Sequence, residues 1–179
     1  MSIETLAKQG RESIHTGLAG IDSLKLRRLR NEQMRQCFNR FDEMPYRMEF
    51  VARIRGTEFV NDAASRSVNA TWYALDSNEG KLVWIANGDD NQADYSKLVP
   101  LAKEKVTMLV AVGNDTSRLH QAFDGEVPSV VDAHNIAEAV HLAFYRNIET
   151  PKVLFSPAGD NGSDAYTEGA QFTVEVNEV

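Results

Sequence analysis

The chain between residues 48 and 75 changes its hydrophobic period twice. From Met48 to Ile54 apolar and polar residues alternate, which is the period of a β-strand with one side packed. Gly56 supplies a turn before a second short strand, Glu58–Asn61. Apolar positions then recur at i, i+3, i+4 and i+7, which is a helix face, at Val68, Thr71, Trp72 and Leu75. The pattern predicts a hairpin, a tight loop and a helix.

Downstream, short apolar runs alternate with helical patterns. Strands are predicted at 82–86, 106–112, 129–131 and 153–155, and helices near 95–102, around Leu119 and Phe123, and after Asp132, which is the expected N-cap. The tail, Phe172–Val176, alternates and is predicted as a strand. This order predicts a Rossmann-like α/β sandwich of three layers, with a mostly parallel sheet of about six strands and helices on both faces.

Residues 1–44 show helical patterns with no strand between them, at about 12–28 and from Asn31 to Phe41. Pro45 is expected to end the second helix. The predicted organisation is therefore a helical stub at 1–44 followed by an α/β domain at 45–179. Loops at the carboxyl ends of its strands, where such folds bind ligands, fall at 62–67, 87–94, 113–115 and 156–164.

Charge is distributed unevenly along the 179 residues, whose formal net charge is -7. Residues 1–55 hold 11 Lys+Arg against 7 Asp+Glu, and residues 56–179 hold 8 against 19. The basic helices suggest phosphate binding, but a solvated helix face is the favoured interpretation, so we do not expect nucleic acid binding. The single cysteine, Cys37, excludes an intramolecular disulfide and a cysteine-based metal site. Without a signal peptide or an apolar run of membrane length, the chain is predicted to be cytoplasmic, with no membrane contact.

Three segments of the domain carry a resemblance: Tyr46–Val51 (YRMEFV), Phe59–Asp62 (FVND) and Ala70–Leu75 (ATWYAL). They resemble the motifs EHRLEFV, F-I-N-D-S-K-A-T-N and STWYAL in the C-terminal domain of the Mur ligases, and most closely the ligases that add D-glutamate. The resemblance covers nearly the whole chain, and it likens residues 1–44 to the end of the central domain with its linker helix. It implies a domain of an ATP-dependent ligase that works in peptidoglycan precursor synthesis, with ATP and Mg²⁺ as cofactors.

The reactive motifs of that family are altered in this chain. The phosphate-binding pattern G-x-x-x-x-G-K-[ST] does not occur, and Gly10–Ser13 (GRES) stands where the family has G-K-H-N. The family's S-K-A-T-N is Ala63–Ser67, so that Ala64 replaces a lysine and Arg66 a threonine. Its G-G-x-D-K-G loop is Asn87–Gln92, where Asn91 replaces a lysine. We therefore predict no catalytic residue, no bound cofactor and no ATP-dependent activation by this chain.

Five residues remain as candidate binding residues. The resemblance places Arg47 and Asp62 at positions that touch the nucleotide ribose, and Ser156 at a position that meets glutamate. Arg66 and Asn91 are the candidate substrate-binding replacements. Arg47 and Asp62 equally fit a structural pair at the entrance of the domain.

Acidic residues are expected around the same loops, at Asp89, Asp90, Asp94, Asp160 and Asp164. A rim of this kind favours a cationic ligand over an anionic one. Its spacing does not match a calcium loop, and His134 and His141 lack a third ligand, so no metal site is predicted.

The leading hypothesis is a non-catalytic binding or regulatory module linked to peptidoglycan precursor synthesis, whose partner is a Mur ligase or another wall-precursor enzyme. Pairing of two copies through the N-terminal helices is a further expectation. The alternatives are a site for an amino acid or nucleotide, or the acceptor-binding half of an ATP-dependent amide ligase. Docking of the basic segment Lys25–Arg40 on an acidic surface and a gene remnant without a role also stay open.

Overall fold

The computed structural model describes residues 45–90, 92–146 and 150–179. The chain begins there with a hairpin, β1 (Glu49–Ile54) and β2 (Thr57–Asn61), followed by α1 (Val68–Ser77) and β3 (Leu82–Asn87). A 3₁₀ turn (Tyr95–Lys97) leads into α2 (Val99–Lys105), β4 (Val106–Val112) and α3 (Ser117–Phe123). The remaining elements are β5 (Val130–Ala133), α4 (Ile136–Tyr145), β6 (Lys152–Phe155) and α5 (Ala165–Glu178).

Six strands form one sheet in the order β1-β2-β6-β3-β4-β5. β1 pairs with β2 antiparallel, and every other neighbouring pair is parallel. The central strand β3 is buried along its whole length, which explains its continuous apolar run. The predicted mostly parallel six-stranded sheet is confirmed.

The core lies in two layers, one on each face of the sheet. Helices α1, α2 and α3 cover one face, where Leu75, Leu101 and Phe123 pack against Trp84. Helices α4 and α5 cover the other, where Val140 and Phe172 belong to the second apolar cluster. Because successive side chains of a strand point to opposite faces, both faces of the sheet are apolar and both are covered by helices. The result is a three-layer sandwich.

Strand β1 departs from the alternation predicted for it. A register shift lies between Phe50 and Ala52 in the ladder with β2, and Phe50 is 59% exposed. Val51 and Ala52 both pack against the second apolar cluster, although neighbours on a regular strand point to opposite faces. A bulge of this kind adds one residue on one strand and reverses the parity beyond it.

The predicted strand at Phe172–Val176 is wrong, because this segment lies in helix α5. Phe172 and Val176, four residues apart, are buried on one side of the helix, while Val174 between them is 55% exposed. Asp164 caps the helix and accepts hydrogen bonds from the backbone N–H groups of Tyr166 and Thr167. Capping and burial of the i, i+4 pair override the strand preference of the Val and Thr residues.

The predicted cap of α4 is also wrong. Asp132 lies within β5, and Asn135 is the N-cap, whose side chain accepts from Glu138 N. The hairpin, the helical segment near 95–102 and the other strands match the sequence prediction. The predicted helical stub at 1–44 lies outside the described residues.

Candidate functional site

The loops after β2, β3, β4 and β6 meet at the carboxyl edge of the sheet. Asp62 N donates to Phe155 O at 2.8 Å, and Asn87 N donates to Pro157 O at 3.0 Å. Gly88 N donates to Val112 O at 2.7 Å. These bonds hold the four loops side by side, as expected where parallel strands end together.

Asp62 is fully buried at the end of β2. Its Oδ1 accepts from Met48 N at 3.2 Å and its Oδ2 accepts from Ser156 Oγ at 2.9 Å, so the carboxylate joins the entering chain to β2 and β6. Burial raises the pKa of Asp62 to about 6, and the hydroxyls of Ser65 and Ser156, the Met48 N–H and the charge of Arg47 oppose that rise. The Ser65 hydroxyl makes no hydrogen bond of ordinary geometry with the described residues.

Ser156 lies below the surface and has no exposed area. Its hydroxyl pairs with Thr71 Oγ1 at 2.7 Å as well as with Asp62. Its carbonyl accepts from Trp84 Nε1 at 2.8 Å, and its N–H donates to Ile85 O at 3.1 Å. All its polar groups are therefore satisfied inside the chain.

Arg66 extends from the loop before α1 toward the loop that follows β6. Its Nη1 lies 2.8 Å from Glu168 Oε2, and its Nη2 lies 3.1 Å from Asp160 Oδ1 and 2.5 Å from Asn161 Oδ1. Burial acts to lower the pKa of Arg66, but the hydrogen bonds and charges of Asp160 and Glu168 raise it above its ordinary value. Only 18% of the Arg66 side chain is exposed, so this cation is engaged within the chain.

Glu168, on the first turn of α5, is a member of the site that the sequence did not reveal. It is 8% exposed, and its Oε1 accepts from Asn161 Nδ2 at 2.9 Å and from Asn87 Nδ2 at 3.3 Å. Together with Arg66 this makes three donors on one carboxylate. Glu168 lies between the predicted loop at 156–164 and the predicted strand at 172–176, so no sequence signal placed a glutamate opposite Arg66.

The five acidic residues expected at the rim serve the loops themselves. Asp89 accepts from Asn114 N and Asp115 N, both at 2.9 Å, and Asp90 accepts from the N–H groups of the loop beyond it and from Asp160 N at 3.0 Å. Asp94 and Asp164 cap the 3₁₀ turn and α5. Asp160 pairs with Arg66. Carboxylates used in this way hold backbone N–H groups, which explains their number without a cationic ligand.

The start of α5 is anchored to β2 and to the entering chain. Asn61 Nδ2 donates to Gly169 O at 2.8 Å and to Thr173 Oγ1 at 3.1 Å. A Cβ on Gly169 would lie 2.4 Å from Cγ of Tyr46, so the Tyr46 ring rests directly on the helix backbone. The Tyr46 and Tyr166 rings meet edge to face at 5.3 Å. These contacts position Glu168.

His120 forms a separate cluster between α3 and β5. Its Nδ1 lies 3.0 Å from Asp124 Oδ1 and its Nε2 lies 3.0 Å from Asp132 Oδ1. The hydrogen bond with Asp132 is the main cause of its raised pKa, and Asp124 adds to it against the effect of burial. Thr116 Oγ1 also donates to Asp132 Oδ1 at 2.6 Å. Asp132 lies on a different element, β5, and was not visible in the sequence spacing, whereas Asp124 follows α3 at i+4 from His120, a spacing that indicates a pair on one helix face.

The other predicted positions are placed as follows. Asn91 and Cys37 lie outside the described residues, and Arg47 is partly buried beside Asp62. His134 and His141 are exposed. Among residues 45–90, 92–146 and 150–179 no group of three or more His, Cys, Asp or Glu could hold a metal ion. None of the helices that the structure describes has the length and apolarity needed to span a bilayer.

Comparison with known proteins decides the family. A protein of Porphyromonas gingivalis named UDP-N-acetylmuramoylalanine–D-glutamate ligase is 35% identical over an alignment of 179 positions, which covers 98% of this chain. The chain is a relative of the C-terminal part of the Mur ligases. A Bacteroides fragilis protein of the same name is 34% identical over 183 residues, which cover 100% of this chain. The chain spans only 40% and 41% of these two curated relatives, so it corresponds to about two fifths of such a ligase.

A solved structure shares the fold of this chain. A bifunctional folylpolyglutamate synthase/dihydrofolate synthase of Yersinia pestis, complexed with AMPPNP and a Mn ion, superposes with a TM-score of 0.52 at 15% identity. The match covers 72% of this chain and 32% of that one. At this identity the likeness shows the fold alone. No family model matches the chain.

Proposed function

We propose that this Mur ligase relative is a non-catalytic module that binds a protein of peptidoglycan precursor synthesis. The observation that carries the proposal is the engagement of its candidate substrate residues. Ser156 is buried and bonded to Asp62 and Thr71, and Arg66 is paired with Glu168 and Asp160. A substrate could bind these side chains only by competing with the internal partners that already hold them.

Electrostatics supports the same conclusion. Binding of an anionic amino acid such as D-glutamate needs fixed positive charge or aimed N–H groups. Arg66 already faces two carboxylates, and residues 56–179 hold 19 Asp+Glu against 8 Lys+Arg. An added dicarboxylate would be repelled by this charge and would have to displace an internal ion pair.

A second candidate function is the acceptor-binding half of an ATP-dependent amide ligase. The observation that favours it is the 35% identity to a protein named as the D-glutamate ligase. On this hypothesis Arg47 and Asp62 contact a nucleotide, and Asn91, Arg66 and Ser156 contact the amino acid. The two candidates predict opposite responses to small ligands.

Thermal unfolding of the whole chain with single ligands separates them. D-glutamate, Mg-ATP, lysine, arginine and UDP-N-acetylmuramoyl-alanine are tested in separate samples. A ligand bound only by the folded state at about a hundred times its Kd adds ~2.7 kcal/mol, which shifts the midpoint by several degrees. The non-catalytic module predicts no shift with any of them. A saturable shift with D-glutamate or Mg-ATP would overturn it in favour of the ligase half.

The partner is tested directly with purified D-glutamate-adding ligase from a bacterium that makes it. We expect calorimetric titration of the ligase with this chain to show saturable binding, and the ligase rate to change at the same concentrations. The matched control is the ligase that adds the next residue of the same precursor, which distinguishes one partner from a general wall-precursor scaffold. Absence of heat with both enzymes would contradict the proposed partner class.

A further inference from the structure

We propose that Arg66, Asn87 and Asn161 form a pocket for a small carboxylate and that Glu168 fills this pocket from within the chain. The name carboxylate pocket refers below to these three donor side chains. The inference goes beyond the proposed function, because it concerns what the edge of the sheet can bind once Glu168 is removed or displaced. It holds whichever protein partner the chain has.

Three side-chain donors converge on the carboxylate of Glu168. Arg66 Nη1 lies 2.8 Å from Oε2 of Glu168, while Asn161 Nδ2 and Asn87 Nδ2 lie 2.9 and 3.3 Å from Oε1. Both oxygens are thus bound, and Glu168 is 8% exposed. A surface ion pair needs only one donor, whereas a guanidinium and two amides around a buried carboxylate satisfy it as a ligand is satisfied.

The three donors come from three different segments of the chain. Arg66 follows β2, Asn87 ends β3, and Asn161 lies in the loop after β6. The carboxylate arrives from a fourth element, α5, which contributes no donor. The carboxylate pocket therefore lies at the carboxyl edge of the sheet, where open α/β sheets hold their ligands.

Helix α5 is held in place by contacts that do not involve Glu168. Asn61 bonds Gly169 O and Thr173 Oγ1, and Asp164 caps the helix. Phe172 and Val176 bury the same helix against the core. Truncation of Glu168 should therefore leave α5 docked and open a space beside Arg66, lined by the two amides.

Acetate is the probe, because Glu168→Ala removes a methylene and a carboxylate, which together have the size of an acetate ion. We expect acetate to raise the unfolding midpoint of Glu168→Ala in a saturable way, by at least about 3 °C more than it raises that of the wild-type chain. Sodium chloride at equal ionic strength and the neutral isostere acetamide should give no such difference. The comparison with wild type removes the general stabilising effect of acetate on folded proteins.

Two variants test whether the carboxylate pocket is the binding site. Glu178→Ala, at the exposed end of the same helix, should respond to acetate as wild type does. Glu168→Ala combined with Arg66→Met keeps an apolar side chain of similar length but removes the cation, and it should lose the acetate effect. Retention of the full effect without Arg66 would overturn the proposal.

Two further outcomes would contradict the carboxylate pocket. An equal response of Glu168→Ala and wild type would show an ion pair that only joins α5 to the sheet, with no pocket behind it. If Glu168→Ala is unfolded in chloride, acetate must restore a cooperative unfolding transition, and failure to do so counts against the pocket. Because D-glutamate and ATP are tested on the wild-type chain, failure of this proposal is distinguishable from failure of the non-catalytic assignment.

Discussion

Among the single residues, Asp62 is a carboxyl group that folding removes from water completely. It has no exposed area, yet it accepts one backbone and one side-chain hydrogen bond, from Met48 and Ser156. Two donors do not replace full hydration of a carboxylate, so burial dominates and its pKa rises to about 6. Its position between the entering chain, β2 and β6 supports the structural interpretation of this aspartate.

The raised pKa of Asp62 predicts a pH dependence of stability. The folded chain holds the proton more tightly than the unfolded chain, so the stabilising contribution is fully present below about pH 4 and is lost as the pH rises through about 6. Two pKa units correspond to ~3 kcal/mol at most. We expect Asp62→Asn, which cannot ionise, to gain stability relative to wild type between about pH 4.5 and pH 7.5 in urea denaturation.

The control for this prediction is Asp76→Asn, on the exposed side of α1. Its unfolding free energy should follow the wild-type pH curve. Parallel curves for wild type and Asp62→Asn would show that the buried carboxylate does not titrate in this range. An amide at position 62 can still accept from Met48 N through its oxygen, but its NH₂ group must donate to the Ser156 hydroxyl, so that hydrogen bond reverses direction.

At the scale of elements, α5 determines the site more than any other helix. Glu168 lies on its first turn, and its Gly169 carbonyl accepts a hydrogen bond from Asn61 Nδ2. The absence of a side chain at Gly169 allows the Tyr46 ring to contact the helix backbone. The alternation in the tail predicted a strand at Phe172–Val176, and the helix that brings Glu168 to Arg66 was not predicted. The period alone could not distinguish the two, because Phe172 and Val176 satisfy both a period of two and a spacing of four.

Gly169→Ala tests the docking of α5. Alanine is favoured over glycine in a helix interior by roughly 1 kcal/mol, so an isolated helix would gain. Here the new methyl group would meet the Tyr46 ring at 2.4 Å, and we expect a net destabilisation of about 1–3 kcal/mol in urea denaturation.

The double variant Gly169→Ala with Tyr46→Ala supplies the control. Removal of the ring frees the space, so the alanine should cost nothing or stabilise in that background. Equal costs in both backgrounds would show that the two residues are not in contact.

At the scale of the whole chain, charge opposes nucleic acid binding. Lys and Arg outnumber Asp and Glu only in residues 1–55, by 11 to 7. Residues 56–179 carry 11 more acidic than basic residues. Phosphate binding needs a field of the opposite sign over the contact surface.

We expect no binding of labelled single-stranded or duplex DNA by fluorescence anisotropy at about 50 mM salt. The control is the same titration with a basic protein of similar size, which must bind. Binding that falls steeply between about 50 and 200 mM salt would contradict the prediction and favour docking through Lys25–Arg40.

The order of the elements, the parallel sheet and the loops at its carboxyl edge could all be predicted from the amino-acid sequence. These follow from local periodicity, because neighbours in sequence decide whether one face of a strand or helix is apolar. The continuous apolar run Leu82–Ala86 predicts a strand buried on both faces, and the i, i+3, i+4, i+7 spacing of apolar residues predicts α1. Asp62, Arg66 and Ser156 were singled out by the family resemblance, and each lies in a loop that follows a predicted strand.

Only the tertiary structure decided what those residues do. Arg66 and Glu168 are 102 positions apart, and Asp62 and Ser156 are 94 apart, so no local pattern connects them. Their pairing depends on how α5 and β6 pack against β2, and the burial of Asp62 depends on the chain that covers it. Long-range packing sets which polar groups are satisfied internally, and that is why a site assembled from the right loops is occupied by the chain's own side chains.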